Sequence, residues 1–168
     1  FANGWDAMRR WNGRSATTLL AGILGPDAAL GSWTPAPTGA PGETNIGLHV
    51  FRYRYMDSTT GYVSNPSEEV ELEVVVTDEQ LTFPIDTTGA ANIIRSTDAK
   101  VDRIIMEMSV VGGSEFFKAA EALNSASTLV LDVNDAYLET QLLAWPDDGH
   151  DVPPIAKYLV FPFPRIQA

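Results

Sequence analysis

The chain has 168 residues, of which 45% are hydrophobic and 20% charged, so it fits one globular domain with extensions and not a wholly disordered chain. Its 22 acidic residues against 11 basic ones give a formal net charge of −11, which disfavours direct binding to DNA or RNA, because that binding needs clustered Lys and Arg. It has no cysteine, which excludes disulfides, thiolate catalysis and zinc–thiolate sites, and no apolar run reaches the roughly 18 residues of a membrane-spanning helix.

Residues 1–43 predict an N-terminal arm of short strands followed by a proline-rich linker. Two Asn-Gly pairs, at residues 3–4 and 12–13, favour tight turns. The segment Thr17–Leu30 fits either a short helix or a buried strand, and Ser32–Gly42, with three prolines and two glycines, is typical of an extended linker. The chain begins at Phe1 inside a patterned segment, and we expect it to be a piece of a longer polypeptide.

Residues 44–133 predict an antiparallel β-sandwich. In Thr44–Asp57, His49, Phe51, Tyr53 and Tyr55 alternate with residues of the opposite face, which indicates a half-buried strand. The polar stretch that follows, up to Gly61, predicts a turn. Further strands are predicted over Glu69–Val76, Gln80–Ile85, Val101–Ser109, Glu115–Ala120 and Thr128–Asp132.

One of these strands has an alternative reading. The sequence FFKAAEAL at residues 116–123 also contains good helix formers, but Gly112-Gly113 just before it favours a hairpin and therefore a strand. We expect one apolar core that contains Tyr53, Tyr55, Val70, Leu72, Val74, Ile104 and Phe116. Residues 134–168 are predicted as a C-terminal exit arm, in which Asp135–Leu143 forms a short helix or continues extended.

The order of these motifs resembles the fibronectin-type-III-like module found inside virion proteins of tailed bacteriophages. Three motifs carry the resemblance: a strand and turn reading YRYMDSTTGYVSNPS, a hairpin reading VDRIIMEMSVVGGSEFFKAAEAL, and an exit reading STLVLDVNDAYL. The flanks FANGWDAMRRWNG and VPPIAKYLVFPFPRI are similar to the segments beside that module, so the resemblance covers nearly the whole chain. The matching positions are Tyr53, Arg54, Tyr55, Asp57, Gly61, Ser64, Asn65, Pro66, Ser67, Val101, Asp102, Arg103, Ile104, Gly112, Gly113, Ser114, Phe116, Ala120, Asp132, Asp135 and Leu138.

This resemblance implies an all-β, antiparallel β-sandwich of the fibronectin type III or immunoglobulin-like kind, with extended N- and C-terminal arms. It also implies a structural protein of the virion, in the tail or the head–tail region, that is assembled in the host cytoplasm. Its partners would be other virion proteins and copies of itself, with no direct nucleic-acid contact and no membrane.

The polar residues favour structural roles over chemistry. His49 lies alone on a strand and is expected to be a satisfied sheet histidine. The loop Asp147–Asp151, with His150, has oxygen ligands for Ca²⁺ but no EF-hand spacing, and a solvated loop is favoured. Asp132 and Asp135 are expected to cap the following segment. We therefore predict no catalytic residue, no metal and no cofactor.

The arms are the predicted interface, because they hold all four tryptophans, and Arg9, Arg10 and Arg165 lie among their aromatic residues. The function predicted from this pattern is subunit–subunit contact in a virion, by a protein that is not an enzyme. The alternatives are an adhesion module that binds host-surface glycans and an accessory domain of an extracellular glycosidase. The predicted interface residues are Trp5, Arg9, Arg10, Trp11, Trp33, Trp145, Tyr158, Phe161, Phe163 and Arg165.

Overall fold

The computed structural model describes residues 9–10, 19–20, 22–26, 36–75, 79–87, 93–141 and 143–144. The chain divides into two units, one formed by Phe1–Gly22 with Val152–Ala168 and the other by Ile23–Asp151. In the first unit, strand β1 (Arg9–Arg10) pairs antiparallel with β2 (Leu19–Leu20).

The second unit is mostly β. In chain order its elements are β3 (Ala36–Pro41), β4 (Gly47–Asp57), β5 (Tyr62–Val63), β6 (Val70–Val74), β7 (Glu79–Asp86), β8 (Ile93–Ile94), β9 (Arg103–Ser109), β10 (Phe116–Leu123), β11 (Thr128–Leu131) and the short helix α1 (Asp135–Leu138).

The first sheet is organised around β4, as its long alternating pattern predicts. The strand order is β10–β9–β4, and β5 and β6 share the other edge of β4. All these pairs are antiparallel, and the strand reading of residues 116–123 is confirmed. The hairpin between β9 and β10 turns at Gly112, which has a φ of +66° that favours glycine.

The second sheet is organised around β7. Antiparallel strands β11 and β3 flank it, and the two residues of β8 pair with its end in parallel. Although β11 follows β10 in the chain, it lies in the opposite sheet. The segment predicted as a linker thus supplies β3, because prolines are tolerated on an edge strand and the register shifts between Pro37 and Pro41.

The core lies between the two sheets, which gives the arrangement of a β-sandwich. Phe51 of β4 and Phe83 of β7 meet across it with ring centroids 5.8 Å apart. Of the expected core residues, Tyr53, Tyr55, Val74 and Ile104 are buried in this core, and Val70 and Leu72 pack against it partly buried.

The assignment of Phe116 to the core was wrong. The hairpin register pairs Phe117 with Met108, and Phe117 is the core residue of the two. Phe116 lies on the opposite face of the sheet, because successive residues of a strand point to opposite faces.

Two serines extend the edge of β4 beyond β5. The N–H groups of Tyr55 and Tyr53 donate to the Oγ atoms of Ser64 and Ser67, at 3.0 and 3.1 Å. In return, the N–H groups of Ser64 and Ser67 donate to the carbonyl oxygens of Tyr55 and Tyr53, both at 2.9 Å. The hydroxyls of Ser64 and Ser67 thus replace the carbonyl acceptors that a neighbouring strand would provide. The two serines lie on either side of Pro66 in the sequence.

The capping prediction for α1 was wrong in its residues. The N-cap is Asn134, whose Oδ1 accepts from the Tyr137 N–H at 2.7 Å. The carboxylate of Asp132 instead accepts from the N–H of Glu43, and that of Asp135 accepts from the N–H of Val111. Both carboxylates therefore attach the segment that leads from β11 into α1 to loops that come earlier in the chain.

Candidate functional site

Most of the predicted interface lies outside the described residues. Arg9 and Arg10 form β1, and their partners in the register are Leu20 and Leu19. Trp5, Trp11, Trp33, Trp145, Tyr158, Phe161, Phe163 and Arg165 lie outside the described residues, and so does the loop Asp147–Asp151. The interface prediction for the arms therefore stays a prediction.

A buried charge cluster occupies the face of the first sheet that is opposite the core. Arg52 of β4 lies across from Glu107 of β9, with Nε 2.6 Å from Oε2. Arg54, two residues along the same face, places its Nε 2.8 Å from Oε1 of the same carboxylate. The second contact has the distance of an ion pair without the alignment of a hydrogen bond. One carboxylate thus lies between two guanidinium groups.

Burial makes this cluster costly to break. The side chains of Arg54 and Glu107 have 0% of their surface exposed, and that of Arg52 has 4%. Breaking a buried pair by removing one partner costs about 3–5 kcal/mol, because the remaining charge stays buried without compensation. The cluster therefore links β4 to β9 in one fixed register.

Two neighbours complete the cluster at its rim. Glu69, which is mostly exposed, places Oε1 3.3 Å from Nη1 of Arg52 and so balances the second positive charge. The ring of Phe116 lies under the guanidinium of Arg52, with Cζ 3.7 Å from the ring centroid, which is cation–π geometry. Arg54 also donates from Nη1 to the carbonyl oxygen of Ser64 at 3.1 Å.

Other polar residues with chemical potential are engaged within the fold. His49 is fully buried, and its ring nitrogens lie 2.9 Å from the Ser109 carbonyl oxygen and 3.2 Å from that of Asn45. The structure thus agrees with the reading of His49 as a satisfied sheet histidine. Asp57 accepts from the Thr59 N–H and the Thr60 hydroxyl inside its own turn.

Asp102 holds the start of that same turn. Ser58 donates to its carboxylate from both N–H and Oγ, at 2.8 and 2.5 Å. The hydrogen bond from the Ser58 hydroxyl, and after it the one from the Ser58 N–H, hold the pKa of the Asp102 carboxyl below its ordinary value. Asp102 is therefore a structural anion that fixes the loop between β4 and β5.

Exposed apolar side chains gather at one end of the sandwich. Val111 lies directly over Gly47, since a Cβ at Gly47 would come within 2.6 Å of Val111 Cγ1. The antiparallel register places Val74 opposite Gly47, so the next residue, Val75, comes beside Ile46. Helix α1 is held at the same end by the Asp135 carboxylate on the Val111 N–H. We call the resulting set the end patch, and its members, between 42% and 63% exposed, are Ile46, Leu48, Val75, Val111 and Tyr137.

Sequence reasoning missed both the charge cluster and the end patch. A signal for the cluster was present, because Glu107 interrupts the apolar strand RIIMEMS and two arginines alternate with aromatic residues in β4. A charge inside an otherwise apolar strand indicates a partner on the neighbouring strand. The end patch has no such signal, because its members come from four separate segments.

Within the described ranges, no three or more His, Asp or Glu side chains come together as a metal site. The same part of the chain has no helix that is long and apolar enough to cross a membrane. The chain matches no protein-family model, no curated protein and no solved structure in the comparisons made.

Proposed function

We propose that this chain is a structural protein of a tailed-bacteriophage virion, in the tail or the head–tail region, and that it acts through subunit–subunit contacts. The observation that carries the contact role is the end patch, since exposed apolar side chains grouped on one part of a surface mark sites of protein–protein interaction. Its members sit on a sandwich whose polar groups fix strands and turns, which suits a rigid contact module.

The virion assignment is supported by what the residues of the resembling motifs do. Ser64 and Ser67 of the SNPS motif supply the acceptors that extend the edge of β4. Asp57 and Gly61 of the DSTTG motif close the turn before them, Gly61 with a φ of +74°. A fibronectin type III-like identity for the sandwich belongs to the same proposal.

The assembly role can be tested on particles. Particles are purified on a density gradient from the culture that carries the gene, and peptides of this chain are quantified by mass spectrometry. We expect the chain to co-purify with particles in a fixed ratio to the major structural proteins. Recovery only from the particle-free fraction would contradict the proposal, and binding on a glycan array in that case would support the adhesion module.

The contact surface can be tested separately with two matched substitutions. Val75→Asp places a charge in the end patch, whereas Val130→Asp places one on β11 at a residue of comparable exposure. We expect Val75→Asp to reduce incorporation into particles, with an unchanged melting temperature of the purified chain, and Val130→Asp to leave incorporation intact. Equal incorporation of both variants would show that the end patch is not a contact surface.

A further inference from the structure

The outer edge of β6 has no strand partner within the described part of the chain. Among the described strands, β6 pairs with β4 alone. The edge of β3 carries Pro37 and Pro41, which cannot donate, and the edge of β10 receives the Ala144 N–H at the Phe116 carbonyl oxygen. By comparison, β6 presents a proline-free edge of five residues.

The direction of its free backbone groups follows from β4. The Val50 N–H donates to Ser109 Oγ on the β9 side, whereas the Tyr53 and Tyr55 N–H groups donate to serines on the β6 side. Backbone groups alternate along a strand, so the odd-numbered residues of β4 face β6. Their register partners in β6 are Val70, Leu72 and Val74.

The N–H and C=O groups of Glu71 and Glu73 therefore point away from β4. Both residues are exposed. An antiparallel strand laid along this edge would exchange hydrogen bonds with both residues, which is strand addition.

The charge of the edge selects the partner. Glu68, Glu69, Glu71 and Glu73 are all exposed in one short stretch. A second copy of β6 would place glutamates near glutamates, which is destabilising across strands. Lys or Arg opposite Glu71 and Glu73 would be favoured, and apolar residues between them would fall on the face of Leu72, which is only partly buried.

We propose that β6 is a docking edge for an extended segment of a partner protein in which Lys or Arg alternates with apolar residues. The segment adds as an antiparallel strand, with its basic residues opposite Glu71 and Glu73. Glu71 and Glu73 belong neither to the predicted interface residues of the arms nor to the end patch, and the proposal does not depend on the virion assignment.

The test uses the full chain and a short, blocked, dye-labelled peptide of alternating lysine and valine. In the proposed register the lysine N–H groups face β6 and the valine N–H groups face solvent. Binding is followed by fluorescence anisotropy, with two matched peptides that are N-methylated either at the lysines or at the valines. We expect methylation at lysine to weaken binding about tenfold or more, since each lost hydrogen bond contributes about 1 kcal/mol, and methylation at valine to change Kd little.

Two variants of the chain test the same register from the other side. Glu71→Pro with Glu73→Pro removes the two carboxylates and the two outward N–H groups but no hydrogen bond to β4, so β4 pairing is kept and peptide binding is lost. Glu71→Gln with Glu73→Gln keeps those donors, so binding weakens, loses most of its salt dependence and remains sensitive to lysine methylation.

Equal affinity of the lysine-methylated and unmodified peptides would overturn the proposal, because attraction of charge alone would explain the binding. No binding of the unmodified peptide would overturn it as well. If the proline variant does not fold, amide hydrogen exchange of the wild-type chain, measured with and without peptide, tests strand addition instead. Slower exchange of the Glu71 and Glu73 amides with peptide supports strand addition, and unchanged exchange contradicts it.

Discussion

Arg52 and Glu107 lie directly opposite one another in the β4–β9 register, with Nε and Oε2 2.6 Å apart on a buried face. A slip of one residue between these strands would move every side chain of one strand to the other face. It would carry Glu107 into the apolar core and separate it from both arginines. The ion pair therefore selects this register over its neighbours, in addition to whatever net stability it provides.

Loss of the shared carboxylate should destabilise the fold strongly. We expect Glu107→Gln to lower the free energy of unfolding by about 3–5 kcal/mol, because two buried guanidinium groups lose the carboxylate that they share and only the exposed Glu69 remains beside Arg52. Urea denaturation measures the change. The matched control is Glu69→Gln at the exposed end of the cluster, which should cost about 1 kcal/mol or less.

Replacing the whole cluster should be far milder than breaking it. Arg52→Met, Arg54→Leu and Glu107→Leu together leave no buried charge, and buried ion pairs replaced by apolar residues are often neutral or stabilising. We expect the triple variant to unfold at higher urea than Glu107→Gln. A loss below about 1 kcal/mol in Glu107→Gln would show instead that water reaches the two arginines.

The serine acceptors beside β4 should each contribute measurably. In Ser64→Ala or Ser67→Ala a buried N–H of Tyr55 or Tyr53 loses its acceptor, so we expect a cost of about 1–3 kcal/mol for each substitution. Ser127→Ala, at an exposed residue before β11, is the control and should change stability by about 0.5 kcal/mol or less. Thermal melts that leave all three variants alike would mean that these amides find water in place of the serines.

Two adjacent phenylalanines should behave differently. Phe117 is in the core, so Phe117→Ala should cost about 3–5 kcal/mol. Phe116→Ala removes a half-buried ring and its cation–π contact with Arg52, which is worth about 0.5–2 kcal/mol. Chemical denaturation of both variants compares the two losses, and a larger loss for Phe116 would contradict the hairpin register.

Acid should release the turn that Asp102 holds. The folded pKa of this carboxyl lies below its unfolded value of 3.8 because Ser58 donates two hydrogen bonds to the charged form. The stabilisation is therefore fully present above pH 3.8 and is lost as the pH falls through the folded pKa. We expect Asp102→Asn and Ser58→Ala both to reduce the loss of melting temperature below pH 4, relative to the wild type. If neither variant changes how the melting temperature falls below pH 4, Asp102 does not contribute to the acid sensitivity of the fold.

The sequence was sufficient to predict the local pattern of the sandwich but not its long-range pairings. The strands around Tyr53 and Ile104 were predicted because alternation is a local property. The strand of Arg54 was expected to be half-buried, with one face in the core, whereas Arg54 on the other face is fully buried beside Glu107, which lies far along the chain. Which face of the sheet Phe116 lies on is decided by the register of the β9–β10 hairpin. Strand β3 forms only because β7 pairs with a segment that contains prolines. The end patch needs four segments to meet, so only the fold could reveal it.

The Glu107 carboxylate that Arg52 and Arg54 share also restricts which substitutions this sequence can accept during evolution. A substitution at Glu107 alone leaves two arginines buried without the carboxylate that they share, so a path of single replacements that begins at this glutamate passes through a weakened intermediate. Glu107 should therefore be kept for as long as either of the two arginines is kept. The sequences of strands β4 and β9 should thus change together at these positions, and a search for distant relatives gains from requiring the glutamate together with at least one of the two arginines.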